Sequence, residues 1–239
     1  MKKYFILIVF VFCMFTTAMC QKESIRLYDN LNLYAPSLVN LYNQVKTSKT
    51  MDANQYESID GSPYLNKQFE KGFVISKDSL LYTGLILRYN NYQDIIEFQK
   101  DDISYELSNQ FPLLYVKIND RIYERLKFKS KEGDKLGYFQ IISDGKVTLY
   151  SKKKVNFVEA KPAHGYVEYK PAKFKAEPIS YYLKKEGSYT ANLIKNKKDI
   201  VSLLSDKKVE VLTFINENKL KTSKGEDISR IIDYYNKLN

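Results

Sequence analysis

The feature that most constrains the fold is a series of short stretches, between about residues 69 and 194, in which apolar and polar side chains alternate. Residues 81–88, 114–118 and 122–128 show the alternation most clearly. A period of two residues is typical of an antiparallel strand with one buried face and one solvated face. Because no long helical segment separates these stretches, we do not expect a parallel, doubly wound sheet.

Turn residues join the predicted strands. They lie at residues 119–120 (Asn-Asp), 143–146 (Ser-Asp-Gly-Lys) and 185–187 (Lys-Glu-Gly). Asn, Asp and Gly tolerate the positive φ of tight hairpin turns, so these sequences between apolar stretches indicate β-hairpins. The pattern predicts a mainly β (α+β) fold, an antiparallel meander that curls into a half-barrel, a barrel or a sandwich, with a short C-terminal helical tail.

The alternating pattern begins and ends at clear changes in composition. Residues 21–64 are polar and rich in Tyr and Asn, which predicts a partly helical or irregular segment. Residues 65–194 form the predicted β domain. Within it, three prolines fall between residues 162 and 178, and because proline cannot donate to a central strand, this span is an edge, a loop or an extended excursion.

Residues 195–239 change to a helical period. We predict short helices at 196–204 and at 206 to about 218, and a third helix that begins with a capping box of Ser223 and Glu226. The third helix carries one apolar stripe, formed by Ile228, Ile231, Ile232, Tyr235 and Leu238. We expect this stripe to pack on the protein core, and binding of a partner is the alternative.

Residues 1–20 have the three parts of a cleavable secretory signal: a short cationic start, an apolar run of residues 4–15 and small residues before a polar one. The run is shorter than the roughly 20 residues that a membrane-spanning helix needs, which argues against an uncleaved anchor. Either cleavage leaves Gln21 as the first residue, or Cys20 becomes the acylated first residue of a lipoprotein. We therefore expect an exported protein that is periplasmic, outer-membrane-associated or extracellular.

The chemistry that the exported chain can carry is narrow. Cys13 and Cys20 both lie within the leader, so a secreted mature chain has no cysteine for a disulfide, a thiol nucleophile or a zinc site. The single histidine, His164, lies in the proline-rich span without the motif of a catalytic triad. We expect no cofactor, no metal and no catalytic residue of these classes, and we favour a non-enzymatic binding or structural module.

Carboxylates leave one enzymatic alternative open, an extracellular hydrolase that uses two acids. The candidate residues crowd one short region and are Asp94, Glu97, Asp101, Asp102 and Glu106. Asp101 and Asp102 occupy a predicted turn, however, where acidic residues are favoured because they hydrogen-bond to the local backbone. We therefore interpret this group as structural rather than catalytic.

Positive charge is concentrated in residues 127–175, which contain twelve lysines and five acidic residues, a net charge of +7. Residues 21–126 have 12 basic and 14 acidic residues, a net charge of −2. Lysine suits diffuse attraction better than shaped recognition of phosphate. Lys152, Lys153 and Lys154 are candidates for binding an anion: a glycan, a lipid headgroup or an acidic protein. Export disfavours nucleic acid, and a lipid on Cys20 would be the only membrane anchor.

Several short sequence segments resemble those of a known group of proteins, and the resemblance covers most of residues 61–239. They lie at 61–65 (Gly-Ser-Pro-Tyr-Leu), 87–90 (Leu-Arg-Tyr-Asn), 94, 96–98 (Ile-Glu-Phe), 197–199 (Lys-Lys-Asp), 218–221 (Asn-Lys-Leu-Lys) and 234–236 (Tyr-Tyr-Asn). In these segments the chain resembles a group of uncharacterised exported proteins of Bacteroidota-type bacteria. The resemblance implies export and a β domain followed by a helical tail, and it assigns no role to any residue.

Overall fold

Ten strands join into one continuous sheet in the computed structural model, which describes residues 31–36, 41, 56, 58–130, 132–166 and 168–238. Two further strands in these residues form a small separate sheet. In chain order the strands are β1 (Glu70–Ser76), β2 (Leu81–Asn90), β3 (Ile95–Lys100), β4 (Ile103–Glu106), β5 (Leu113–Ile118), β6 (Arg121–Ser130), β7 (Gly133–Ser143), β8 (Val147–Lys152), β9 (Val155–Val158), β10 (Lys173–Ala176), β11 (Ser180–Lys185) and β12 (Thr190–Ile194).

The predicted hairpin turns are confirmed. Residues 119–120 connect β5 to β6, residues 144–146 connect β7 to β8, and residues 186–189 connect β11 to β12. Asn119 and Gly187 have φ values of 53° and 74°, the left-handed conformation that made Asn and Gly informative at these positions. Neighbouring strands along the sheet pair antiparallel, in the order β12-β11-β8-β7-β6-β5-β1-β2-β3-β4.

Part of the sheet closes into a barrel. β12 pairs in parallel with β6 through Thr190–Lys127 and Ala191–Phe128, so β6, β7, β8, β11 and β12 form a ring. The first half of β6 instead pairs with β5 through residues 121–123. β6 therefore belongs both to the barrel and to the remaining sheet, β5-β1-β2-β3-β4. The predicted fold class, mainly β with a short helical tail, is confirmed, and its curled form is a closed barrel.

Among the described residues, two apolar clusters stabilise the fold. The first lies mainly on the strands outside the ring, includes Val74, Tyr82, Leu87, Ile96 and Val116, and extends to Tyr123 and Tyr138 on β6 and β7. The second joins β8, β11 and β12 to the tail helices, through residues that include Leu149, Leu183, Ile200, Val211 and Ile232.

The tail consists of α1 (Lys197–Leu203), α2 (Lys208–Glu217) and α3 (Gly225–Lys237). In α3, Ile228, Ile231 and Ile232 are fully buried in the second cluster, so the stripe packs on the core as expected. The predicted capping box at the start of α3 is wrong, because its N-cap is Lys224 and no side chain caps it. Within the described residues, none of the helices has the length and apolar character that crossing a bilayer requires.

A capping box occurs instead at α1. Asn196 accepts hydrogen bonds from the backbone N–H groups of Lys198 and Asp199, and Asp199 accepts one in return from the backbone of Asn196. Asn is as good an N-cap as Ser, and a short acidic residue at the third helical position serves the same purpose as Glu. The motif was therefore available in the sequence at this helix rather than at α3.

Candidate functional site

The most deeply buried charges of the described residues form an ion pair between neighbouring strands. Arg88 on β2 lies opposite Glu97 on β3, and its Nε and Nη2 atoms lie 2.9 and 2.5 Å from Glu97 Oε2. The Glu97 side chain is 2% exposed and the Arg88 side chain 7%. Tyr64 and Asn90 donate to Oε1 of Glu97, over 3.4 and 3.1 Å. Glu97 is thus held by several donors at once and stabilises the sheet.

The Arg88 guanidinium is also enclosed by aromatic rings. It lies 3.7 Å from the ring centroid of Tyr64 and 4.1 Å from that of Phe69. Such rings attract a cation through the negative charge of their faces. Burial, followed by the charge of Glu97, raises the pKa of the Tyr64 hydroxyl, so this group stays protonated and can donate to Glu97.

Three of the other candidate acids, Asp101, Asp102 and Glu106, take no part in this ion pair. Asp101 and Asp102 have φ values of 50° and 60° in the turn between β3 and β4, which is the structural role expected of them. Glu106 lies opposite Glu97 on β4, and burial followed by the charge of Glu97 raises its pKa. Because Glu97 already binds Arg88, these two acids do not form a free catalytic pair.

A second buried ion pair joins the β2–β3 turn to the barrel. Lys152 Nζ lies 2.7 Å from Asp94 Oδ2 and 3.0 Å from the backbone oxygen of Tyr138. The Tyr89 hydroxyl donates to Asp94 Oδ1 over 2.6 Å, and the backbone N–H of Tyr138 donates to the same oxygen over 3.2 Å. Gly137 leaves the space for this contact, since a Cβ there would lie 2.5 Å from Asp94 Oδ2.

The surroundings of Lys152 act on its pKa in opposite directions. Its ammonium group lies 4.8 Å from the ring centroid of Phe139, inside the barrel. Burial lowers the pKa of Lys152, and the nearby charge of Asp94 opposes that decrease. A third pair inside the barrel follows the same pattern, because Glu124 accepts from Lys184 over 2.6 Å and from the Tyr150 hydroxyl over 2.5 Å.

Lys152, Lys153 and Lys154, the candidate anion-binding residues, therefore do not share one surface. Lys152 points into the barrel, and its charge is paired with Asp94. Lys153 is half-buried and Lys154 is exposed, and neither forms an ion pair with another described residue. A run of lysines in the sequence gives no sign of this separation, which arises because β8 ends at Lys152 and the two following lysines lie outside the strand.

The small sheet of β9 and β10 forms a protrusion that we call the basic hairpin, residues 154–176. Lys161 and Lys170 extend it by two mutual backbone hydrogen bonds, of 2.8 and 2.9 Å. Its base is fixed to the body of the protein, where Phe174 is buried against the ring of Tyr92 and its N–H donates to the oxygen of Asp60 over 2.8 Å. The proline-rich span is thus an extended excursion.

The outer part of the basic hairpin is solvated. Tyr166 is fully exposed and Tyr169 is 61% exposed, and His164 lies exposed beside them at the turn. Five of its lysines are also exposed and form no ion pair with another described residue; they are Lys154, Lys161, Lys170, Lys173 and Lys175. Glu159 and Glu168 are its two acidic residues, so the hairpin carries a net charge of +3.

A cavity of about 110 Å³, which we call the tyrosine cleft, lies where β2, β6, β7 and the end of β8 meet the segments at Leu65 and Ile179. Tyr89, Tyr123 and Tyr138 form its aromatic wall, and Leu65 and Ile179 contribute the apolar rim. Its polar groups are Asn91, Gln140, Ser151, Lys152 and Lys153. No local motif marks these residues in the sequence, because six separate segments bring them together.

No group of three or more His, Cys, Asp or Glu side chains that could hold a metal ion occurs among the described residues. Cys13, Cys20 and Gln21, and with them the predicted cleavage or lipidation site, lie outside the part of the chain that the structure describes. Comparison with protein-family models, with curated proteins and with solved structures finds no match to the chain.

Proposed function

We propose that the protein is an exported, non-enzymatic binding module that contacts an anionic component of the cell envelope through the basic hairpin. The observation that carries this proposal is the position of five exposed, unpaired lysines on a protrusion whose base is fixed and whose outer part is free in the described structure. An acidic protein is the alternative partner, and the experiment below distinguishes the two.

The charge distribution supports contact with an extended anionic surface rather than with one phosphate group. The lysines are spread along both edges of the hairpin, and lysine attracts anions as a hydrated point charge without a fixed geometry. Tyr166 and Tyr169 lie between them and offer an aromatic surface with a polar hydroxyl, which suits the boundary between water and a less polar surface.

The state of the buried acids also favours binding over hydrolysis. A hydrolase of the two-carboxylate type needs one free acid and one free base in a cleft. Asp94 and Glu97 are each engaged by an internal cation, at 2.7 and 2.5 Å, and both anchor secondary structure.

Binding to vesicles that contain phosphatidylglycerol and to a sulfated polysaccharide, heparin, tests the proposal. We expect binding to one of these polyanions that weakens steeply with salt, because attraction between exposed charges is screened within about 10 Å at 0.1 M salt. Changing Lys161, Lys170, Lys173 and Lys175 together to Gln is expected to abolish it. Binding to polyglutamate, but to neither envelope-like probe, would instead indicate the acidic protein.

The matched control changes four exposed lysines elsewhere, Lys195, Lys198, Lys208 and Lys221, to Gln. It removes the same charge, so we expect it to retain most of the binding. Equal losses in the two variants would show that net charge alone is responsible and would contradict a role for the hairpin. Turnover of a glycan or peptide that depends on one Asp or Glu would contradict the non-enzymatic assignment.

A further inference from the structure

The tyrosine cleft has a regular construction that the basic hairpin does not explain. Tyr123 on β6 lies directly opposite Gln140 on β7, which lies opposite Ser151 on β8. Directly paired residues point to the same side of a sheet. The three side chains therefore form one row across three strands. Tyr138 lies two residues before Gln140 on β7, so its side chain points to the same side of the sheet.

The polar members of this row have no internal partner. Neither the Gln140 amide nor the Ser151 hydroxyl makes a side-chain hydrogen bond to another described residue, although both are half-buried. Asn91, in contrast, is fully engaged, since its Oδ1 accepts from Leu65 N over 2.8 Å and its Nδ2 donates to Lys153 O over 2.8 Å. Asn91 builds the wall, and Gln140 and Ser151 are available to a ligand.

The charge of the cleft comes from one residue. Lys152 is neutralised by Asp94, at 2.7 Å, whereas Lys153 lines the cleft and has no ion-pair partner among the described residues. The next polar groups along the cleft are a hydroxyl and an amide, and the remaining wall consists of tyrosine rings, Leu65 and Ile179. These groups suit a ligand with one negative charge, a hydrogen-bonding group beside it and a small apolar part.

The volume limits the size of that ligand. A cavity of roughly 150 Å³ accommodates benzene, so a space of about 110 Å³ suits a ligand with a few heavy atoms. A short hydroxy acid fits this description.

From these observations we propose that the tyrosine cleft binds a short 2-hydroxy carboxylate. Its carboxylate pairs with the ammonium group of Lys153, its hydroxyl exchanges hydrogen bonds with Ser151 and Gln140, and its alkyl part contacts Tyr123 and Ile179. This site is separate from the anionic surface contact of the basic hairpin, because Lys153 is the only charge it uses.

Titration of the isotope-labelled protein with L-lactate, D-lactate and propionate, followed by NMR, tests the proposal. We expect one lactate enantiomer to shift the amide signals of Tyr123, Gln140 and Ser151 saturably. Propionate lacks the hydroxyl and should bind about tenfold more weakly, the usual effect of leaving half-buried polar groups unpaired. Lys153→Gln should weaken lactate binding by about tenfold or more, since a charge-assisted bond is lost.

Lys198→Gln is the matched control, because it removes the same charge at an exposed position that does not line the cleft. We expect it to change lactate affinity by less than about twofold, and an unchanged unfolding midpoint verifies that both variants fold. Equal losses in the two variants, equal binding of lactate and propionate, or the absence of saturable shifts would each overturn the proposal. The four-lysine hairpin variant should bind lactate normally, so the two functional proposals can fail independently.

Discussion

Replacing Glu97 by Gln should destabilise the protein strongly, although the two side chains have the same shape. The change leaves the guanidinium of Arg88, which is 7% exposed, without its counter-charge. Removal of one partner from a buried pair costs about 3–5 kcal/mol, because the remaining charge stays uncompensated. Total stabilities are about 5–15 kcal/mol, so this one substitution would remove a large part of the free energy of unfolding.

Thermal unfolding followed by circular dichroism measures the effect. For a domain of about 150–250 residues, 1 kcal/mol lowers Tm by about 2–4 °C, so we expect Glu97→Gln to lower it by about 6–20 °C. The double variant, with Met at both Arg88 and Glu97, removes both charges and keeps apolar volume. It should be more stable than Glu97→Gln alone, because no unpaired charge remains.

The exposed pair Lys135–Glu132 provides the control, and Lys135→Gln should leave Tm nearly unchanged. A loss below about 1 kcal/mol for Glu97→Gln would refute the reasoning, because it would mean that water reaches Arg88 in the folded protein. A double variant that loses the sum of the losses measured for Arg88→Met and Glu97→Met separately would refute it as well, since the two residues would then act independently.

Three further outcomes are expected. Gly137→Ala should cost about 1–3 kcal/mol in urea unfolding, because its Cβ would lie 2.5 Å from Asp94 Oδ2, and a wild-type midpoint would contradict this contact. Ile231→Ala should lower the free energy of unfolding by about 2–5 kcal/mol, since Ile231 lies on α3 and is fully buried. A smaller loss would mean that α3 does not pack on the core. Burial raises the pKa of Tyr115 and Tyr138 to about 12, so the folded state holds these protons more tightly than the unfolded state. The free energy of unfolding should therefore fall between about pH 10 and 12, in step with the absorbance of the phenolates. A constant free energy of unfolding over this range would contradict the burial of the two hydroxyl groups.

The strands and their turns could be predicted because the information is local. Residues 119–120 and 185–187 carry the turn chemistry themselves, and β2, β5 and β6 carry their own alternation. The closure of the barrel could not be predicted in this way. It depends on Thr190 and Ala191 meeting Lys127 and Phe128, and neither segment contains a feature that specifies the other.

The buried charges were missed for a related reason. In the sequence, Arg88 and Glu97 are charged residues on predicted strands, and such residues usually face solvent. Their positions on either side of the turn at residues 91–94 were the available signal, because a hairpin there places them opposite one another. Lys152 was grouped with its two neighbours, although β8 ends at Lys152 and the other two lysines lie outside the strand.

The double membership of β6 has a kinetic consequence. Lys127 and Thr190 are 63 positions apart, and β7, β8, β9, β10 and β11 all lie between them. A growing chain cannot complete the ring until β12 has been synthesised, and pairing across such a separation is slow because the intervening chain must first be ordered. Part of the edge of β6 would thus stay unpaired in a nascent chain until its last strand is available. An incompletely folded chain of this kind is a form that a translocation pathway for unfolded chains can accept.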